Sequence, residues 1–129
     1  MRGVLIAATV ARLRACPALS GVTVFDAPPV RGGLPHALVE EPVLADWGAK
    51  EVRGREGRLA ATLVDGGERP ERLRVLLAAV EAWMPAMPPD LGEGWQLVQL
   101  RFLRSRIVRA GERWTGTAEF MVRGWETGR

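Results

Sequence analysis

The sequence has few of the residues that most often carry chemistry. Its 129 residues include one cysteine, one histidine, one lysine and no tyrosine. Cys16 permits no disulfide within the chain, and we expect it to be a small core residue at a helix end. His36 has no cysteine or serine–acid partner nearby in the sequence, so we expect it to be structural.

Site patterns are missing as well. There is no C-x-x-C or H-x-x-x-H spacing for a metal, and neither glycine pattern that binds nucleotide phosphates is present. Glu40 and Glu41 are adjacent in a predicted strand, so they point to opposite faces and cannot form a catalytic pair. We therefore expect no enzyme activity, no metal and no cofactor. An enzyme survives as a third hypothesis only if His36 and distant carboxylates meet in a pocket.

Long apolar runs are absent. No stretch reaches the ~18 apolar residues of a transmembrane helix. The short apolar run over residues 4–11 is followed at once by Arg12 and Arg14, which favours a helix over a signal peptide. We expect no membrane partner and a cytoplasmic location when the protein is made.

What is present is typical of one soluble domain over residues 1–129, with 47% apolar and 26% charged residues. Apolar spacing predicts a helix over 3–15, stopped by Pro17, and a clearer one over 70–84. Strands are predicted at 21–26, 36–41 and 58–64, followed by a linker at 85–94 and a long hairpin over 95–125. This order predicts an α+β domain, with an antiparallel-rich sheet of about four or five strands and two helices packed on one face.

Residues 43–57 are the least periodic part of the chain. They mix charge and glycine around one large aromatic, Trp47, and predict an exposed loop or a loose, projecting hairpin. An aromatic on such a segment often anchors a protein interface, although local packing of Trp47 is an equal alternative. By contrast, Trp83 and Trp114 fall on apolar faces and are expected in the core. The candidate interface residues are Asp46, Trp47, Lys50, Arg53 and Arg55.

The hairpin over 95–125 carries six arginines against two glutamates on a chain of net charge +3. Strict alternation in its first strand would place Arg104 and Arg106 on the apolar face. A one-residue bulge near Leu103 would return them, with Arg101, to one polar face and send Ile107 inward. We predict that bulge, and we name Arg101, Arg104 and Arg106 the arginine face.

Three interpretations of the arginine face stay open. It is a solvated sheet face, an interface with carboxylates of another subunit, or a nucleic-acid contact. The last lacks the interleaved aromatics of single-strand binders and any recognition-helix motif, although phosphate contact without base recognition remains available. A small basic nucleic-acid-binding module is therefore the alternative function.

Short motifs follow one another along nearly the whole chain. After an Ala/Leu-rich first helix come Val24-Phe25-Asp26-Ala27-Pro28-Pro29, Leu34-Pro35, Asp46-Trp47-Gly48-Ala49-Lys50 and Gly54-Arg55-Glu56. A second helix and a closing hairpin complete the set. It resembles the tail-terminator family (tail-completion, head–tail joining proteins) of long-tailed phages, in the version found in gene transfer agents of GC-rich bacteria. The family often carries Trp-Ser after the third strand, where this chain has Val64-Asp65.

The resemblance implies a structural protein that forms a homo-hexameric ring. Such a ring caps the finished tail tube, stops further polymerisation of tube subunits and presents a surface to the head–tail connector or stopper. Its partners are then itself, the tube protein and the connector, while DNA passes through the lumen without its sequence being recognised. The assembled protein is expected at the tail–head junction of a virion or phage-like particle.

Overall fold

The protein is described by a computed structural model covering residues 1–127, so the last two residues of the domain predicted over 1–129 lie outside the described residues. Two helices, α1 (Arg2–Arg14) and α2 (Glu71–Trp83), are each followed by a short 3₁₀ turn, at Pro17–Leu19 and Met84–Ala86. The strands are β1 (Thr23–Phe25), β2 (His36–Val39), β3 (Val43–Trp47), β4 (Gly54–Gly66), β5 (Asp90–Gly92), β6 (Trp95–Ala110) and β7 (Arg113–Glu126).

Both helices follow the apolar periodicity of the sequence. Helix α1 buries Leu5, Thr9 and Leu13 at four-residue intervals, and the Thr9 hydroxyl donates to the Leu5 carbonyl oxygen at 2.7 Å. Helix α2 buries Leu73, Leu76, Leu77 and Val80. The predicted helices over 3–15 and 70–84 are confirmed to within a residue or two.

The sheet has seven strands, which corrects the expected four or five. Their order is β1-β2-β4-β7-β6-β5, with β3 beside the first part of β4. Within residues 1–127 the β1–β2 pair is parallel and every other pair is antiparallel. The additional strands are β3 and β5, and both lie in segments where local sequence predicts loops or turns. Each pairs with the strand that follows it, and those strands, β4 and β6, are held in the sheet by β7.

The segment 43–57 is a hairpin and not an exposed loop. Its second arm is the start of β4, which begins at Gly54, four residues before the predicted start at Arg58. Residues 54–58 pair with β3 on one side and with β7 on the other, so the hairpin is part of the sheet and is not a loose projection. The predicted linker over 85–94 likewise contains the short strand β5.

The core lies between the helices and one face of the sheet. Alternate residues of the two central strands are buried there: Leu59, Ala61 and Leu63 of β4, and Ala118, Phe120 and Val122 of β7. Helix α2 approaches the sheet closely at Gly116, where an added Cβ would lie 3.3 Å from a methyl of Leu77. We call the opposite, helix-free side of the sheet the outer face.

The predicted bulge near Leu103 is confirmed. Phe102 pairs with Phe120 and Arg104 pairs with Glu119, so Leu103 is the additional residue on β6. Beyond it Ile107 faces Gly116 on the helix side and packs against the core. A second irregularity, at Val98, has no counterpart in the sequence prediction.

Candidate interaction surface

The outer face is crossed by rows of side chains fixed by strand register. Within residues 1–127 no helix packs against it. In order along β4, β7 and β6, the rows are Gly54–Trp125–Gln96, Glu56–Arg123–Gln99, Arg58–Met121–Arg101, Ala60–Glu119–Arg104, Thr62–Thr117–Arg106 and Val64–Thr115–Val108. The outer face is therefore aromatic at one end, charged in the middle and made of valine and threonine at the other end.

The register places Arg101, Arg104 and Arg106 together on the outer face. Arg104 donates from Nε to Glu119 at 2.5 Å, across the strand pair. Within residues 1–127, Arg101 and Arg106 are exposed and have no carboxylate within ion-pair distance. Exposed pairs of this kind contribute at most about 1 kcal/mol, so the arginines are available to a partner at little cost to the fold.

The middle rows also carry fixed polar contacts. Arg123 donates to Glu56 at 2.9 Å. The Thr62 hydroxyl lies 3.2 Å from that of Thr117 and donates to Glu40. These contacts hold acidic and hydroxyl groups between the arginines, so the outer face is of mixed charge and not a continuous basic strip.

Two tryptophans stack at the aromatic end of the outer face. The rings of Trp47 and Trp125 lie 6.1 Å apart at an interplanar angle of 17°, and the Arg123 guanidinium lies 5.3 Å from the Trp47 ring centre. Gly54 of β4 pairs with Trp47 on one side and with Trp125 on the other. A Cβ at Gly54 would lie 2.5 Å from the Trp47 carbonyl oxygen. Trp47 thus has local packing, while Trp125 stays 38% exposed.

Three of the four other residues predicted with Trp47 line one open concavity. Asp46 pairs with Arg55 at 2.8 Å while its side chain remains 94% exposed, and Arg53 pairs with Glu126 at 3.5 Å. Asp46, Trp47, Arg53 and Arg55 line a space of about 370 Å³. Lys50 is exposed in the turn beyond it.

Charged groups at the two ends of the helix layer have shifted pKa values. Arg72 donates to both carboxylate oxygens of the buried Asp65, at 2.6 and 2.8 Å. These hydrogen bonds hold the pKa of Asp65 below its usual value against the opposing effect of burial. At the other end, burial lowers the pKa of the Met1 amino group, and the nearby charge of Arg55 lowers it further.

The single histidine and the single cysteine are both buried, and neither lies in the charged rows of the outer face. The Nδ1 atom of His36 lies 3.0 Å from the Gly33 carbonyl oxygen, and its ring packs edge-on against Phe25. Cys16 is buried in the core. In the part of the chain that the structure describes, no three His, Cys, Asp or Glu side chains converge as a metal site would require. Over the same residues, no helix has the length and apolarity to span a bilayer.

Two of the five tryptophans differ from their predicted environment. Trp83 and Trp114 are half-buried at the margin of the core and not inside it. The indole N–H of Trp83 donates to the Arg12 carbonyl oxygen at 2.7 Å, and the Arg12 guanidinium lies over the same ring. The indole of Trp114 donates to Gly67. Each needs a polar partner for its N–H, which explains the marginal position.

Sequence reasoning missed Trp125 as a member of this surface. The alternation that puts Thr115, Thr117, Glu119 and Arg123 on the polar side of β7 continues to residue 125. That signal was sufficient to place Trp125 on the outer face. Its stacking on Trp47 was not predictable, since it depends on the pairing of Gly54 with both Trp47 and Trp125, and Trp125 is far from Gly54 in the sequence.

Residues 7–125 match the family model of the tail completion protein gp17. Among solved structures, the chain is similar to one from the virion of a native gene transfer agent (GTA) particle, with a TM-score of 0.82 and 26% sequence identity. That alignment covers 95% of this chain and 96% of the other. A second solved chain, with a TM-score of 0.58, 16% identity and coverage of 100% and 96%, supports the fold alone. No curated protein sequence matches the chain.

Proposed function

Because the chain belongs to the tail completion protein gp17 family, a family of structural tail proteins, we propose that it forms a homo-hexameric ring that caps the tail tube of a phage-like particle. The observation that supports this proposal most strongly is the similarity, over 95% of this chain, to a chain from the virion of a gene transfer agent. Shared architecture over the whole length supports a shared place in the particle.

The proposed ring ends polymerisation of the tube and joins the tail to the head connector. It acts by packing and not by catalysis. Its partners are other copies of itself, the tube protein and the head–tail connector or stopper. The chain acts as one domain over residues 1–129, located in the cytoplasm before assembly and at the tail–head junction afterwards.

The outer face supports this role because no helix within residues 1–127 covers it and its rows differ in chemistry. A closed ring needs each subunit to present two different surfaces to its neighbours. The arginine face (Arg101, Arg104, Arg106) is proposed to meet a neighbouring subunit or the ring lumen. The stacked corner, with Asp46, Trp47, Lys50, Arg53 and Arg55, is proposed to contact a subunit or another tail component.

Mass photometry over a range of concentrations, together with binding to assembled tail tubes, tests this function. We expect a six-copy species that binds the end of the tube. A strict monomer at every concentration, and in purified tails as well, would contradict the proposal.

The second candidate function is nucleic-acid binding through the arginine face. The supporting observation is that Arg101 and Arg106 are exposed without an ion-pair partner within residues 1–127. Replacing Arg101, Arg104 and Arg106 with alanine should then abolish salt-dependent DNA binding and leave the oligomer intact. Alanine at Arg31, Arg69 and Arg74, which lie elsewhere, is the charge-matched control. Equal DNA binding by both triple variants would eliminate this candidate.

A further inference from the structure

Within residues 1–127, strands β6 and β3 each leave one side without a paired strand along most or all of their length. Strand β5 pairs with β6 only at Trp95 and Gln96. Within residues 1–127, no strand pairs with β6 from 97 to 110 along the edge that points away from β7. Strand β3 pairs with β4 and with no other described strand. An edge strand presents unpaired N–H and C=O groups, which makes it a template for pairing with another chain.

The regular part of the β6 edge matches β3 in length. The bulge at Leu103 interrupts β6, and from Arg104 to Ala110 its register with β7 is unbroken. Strand β3 is five residues long. A five-residue strand therefore fits beside this stretch without meeting a bulge.

Strand directions also favour this match. Strand β4 is antiparallel to β3 and to β7, and β7 is antiparallel to β6. Strand β6 thus runs opposite to β3. If neighbouring copies are related by rotation about an axis along the strands, β6 of one copy meets β3 of the next in antiparallel orientation.

Pairing between the β6 edges of two copies is unfavourable. The residues 97–110 of β6 include four arginines and no acidic residue, so two β6 edges would bring arginines against arginines. Strand β3 has one charged residue, Asp46, and no basic one. A pairing of unlike edges is also the arrangement that a closed ring requires.

We propose that β3 of one copy pairs antiparallel with residues 104–108 of β6 in the next copy, an inference that rests on the proposed ring. In a continuous sheet, outer-face residues of one copy must lie beside outer-face residues of the next. The register between the two strands can therefore shift only by two residues at a time. The favoured register sets Val43 opposite Val108, Leu44 opposite Ile107, Ala45 opposite Arg106, Asp46 opposite Ser105 and Trp47 opposite Arg104.

This register joins apolar groups that the single chain leaves uncovered. Val43 is 72% exposed and Val108 is 44% exposed, both on the outer face. Leu44 and Ile107 are half-buried on the helix side. A shift by two residues sets Asp46 opposite Ile107, which would bury a carboxylate against an aliphatic side chain.

A disulfide scan tests the register directly. In the variant Val43→Cys/Val108→Cys, mild oxidation of the full-length protein should give a ladder of covalent multimers on non-reducing gels. Within one chain these two residues are three strand spacings apart across the sheet, about 14 Å. They are also six residues apart along the strands, since Val43 is level with Met121 and Val108 with Thr115. Their separation therefore exceeds the ~7 Å Cα limit for a disulfide. The ladder therefore reports contacts between copies.

Matched controls decide the outcome. Val98 is 43% exposed on the same strand, nearly the same as Val108, so Val43→Cys/Val98→Cys should give no ladder. Each single cysteine variant should stop at a dimer. Equal ladders from both double variants, or cross-links only to another tail protein, would overturn the proposed pairing.

A charge exchange provides a second readout. Ala45→Arg should weaken the oligomer at least tenfold, because the new arginine lies opposite Arg106, and Ala45→Arg/Arg106→Glu should restore it. If the parent protein is oligomeric by mass photometry and neither variant changes its assembly, the pairing fails while the ring stands. If the parent is a monomer in solution and in tails, the ring fails as well.

Discussion

The two faces of the sheet are built from the same strands but differ in what their side chains contact. On the helix side, Leu59, Leu63 and Phe120 are fully buried and hold the fold together. On the outer face, arginines, glutamates and threonines alternate with those same residues and meet no other element of the described chain. The helix side therefore accounts for stability, and the proposed function assigns assembly to the outer face, so substitutions should separate the two.

The largest expected effect is on the helix side. Replacing the fully buried Phe120 with alanine should cost about 3–5 kcal/mol of unfolding free energy, measured by urea denaturation. Met121→Ala, one residue along on the outer face, is the matched control and should cost about 1 kcal/mol. Equal costs for the two would remove the distinction between the faces.

The stacked corner should give an intermediate effect. Gly54→Ala places a Cβ 2.5 Å from the Trp47 carbonyl oxygen and 2.8 Å from its ring, so we expect a loss of about 1–3 kcal/mol and a change in tryptophan fluorescence. Gly21→Ala serves as a control, since nothing lies within 4 Å of a Cβ there. An unchanged spectrum would mean that Trp47 and Trp125 do not stack as described.

The Asp65–Arg72 pair should make the helix side sensitive to acid. The pKa of Asp65 is lowered in the folded state, so its stabilisation is present above the unfolded value of about 3.9 and is lost as the pH falls through the folded value. Asp65→Asn should cost about 1–2 kcal/mol at neutral pH and flatten the stability profile below pH ~4. A profile as steep as that of the parent would assign the acid sensitivity to other carboxylates.

The smallest effect on stability should come from the arginine face. Arg104→Ala removes an exposed pair with Glu119 and should change unfolding by less than about 1 kcal/mol. Under the proposed pairing it also removes the residue opposite Trp47, so the oligomer should weaken while the unfolding free energy of the monomer stays nearly constant. A fall in stability without a change in assembly would reverse this assignment.

The helix-side face was predictable from the sequence because burial imposes a period. Leucines at helical spacing located α2, and alternation located the second strand of the hairpin. The Leu103 bulge followed from the cost of placing Arg104 and Arg106 on an apolar face. In each case the constraint lies within a dozen neighbouring residues.

The outer face was harder to predict because its arrangement depends on distant pairings. Strand β3 has no clear local pattern, and it forms because β4 extends back to Gly54 beside β7. The Trp47–Trp125 stack and the Arg123–Glu56 pair each join residues that are more than sixty positions apart. No short-range period indicates such contacts. The arginine face itself was located correctly, but its partner remains a proposal.

Electron microscopy of particles assembled without this protein tests the central claim most directly. If the protein caps the tail tube and joins it to the head, cells lacking it should produce separate heads and tails, with tubes of widely varying length. Restoring the parent protein should return joined particles of uniform tail length. Joined particles with normal tails in its absence would contradict the account.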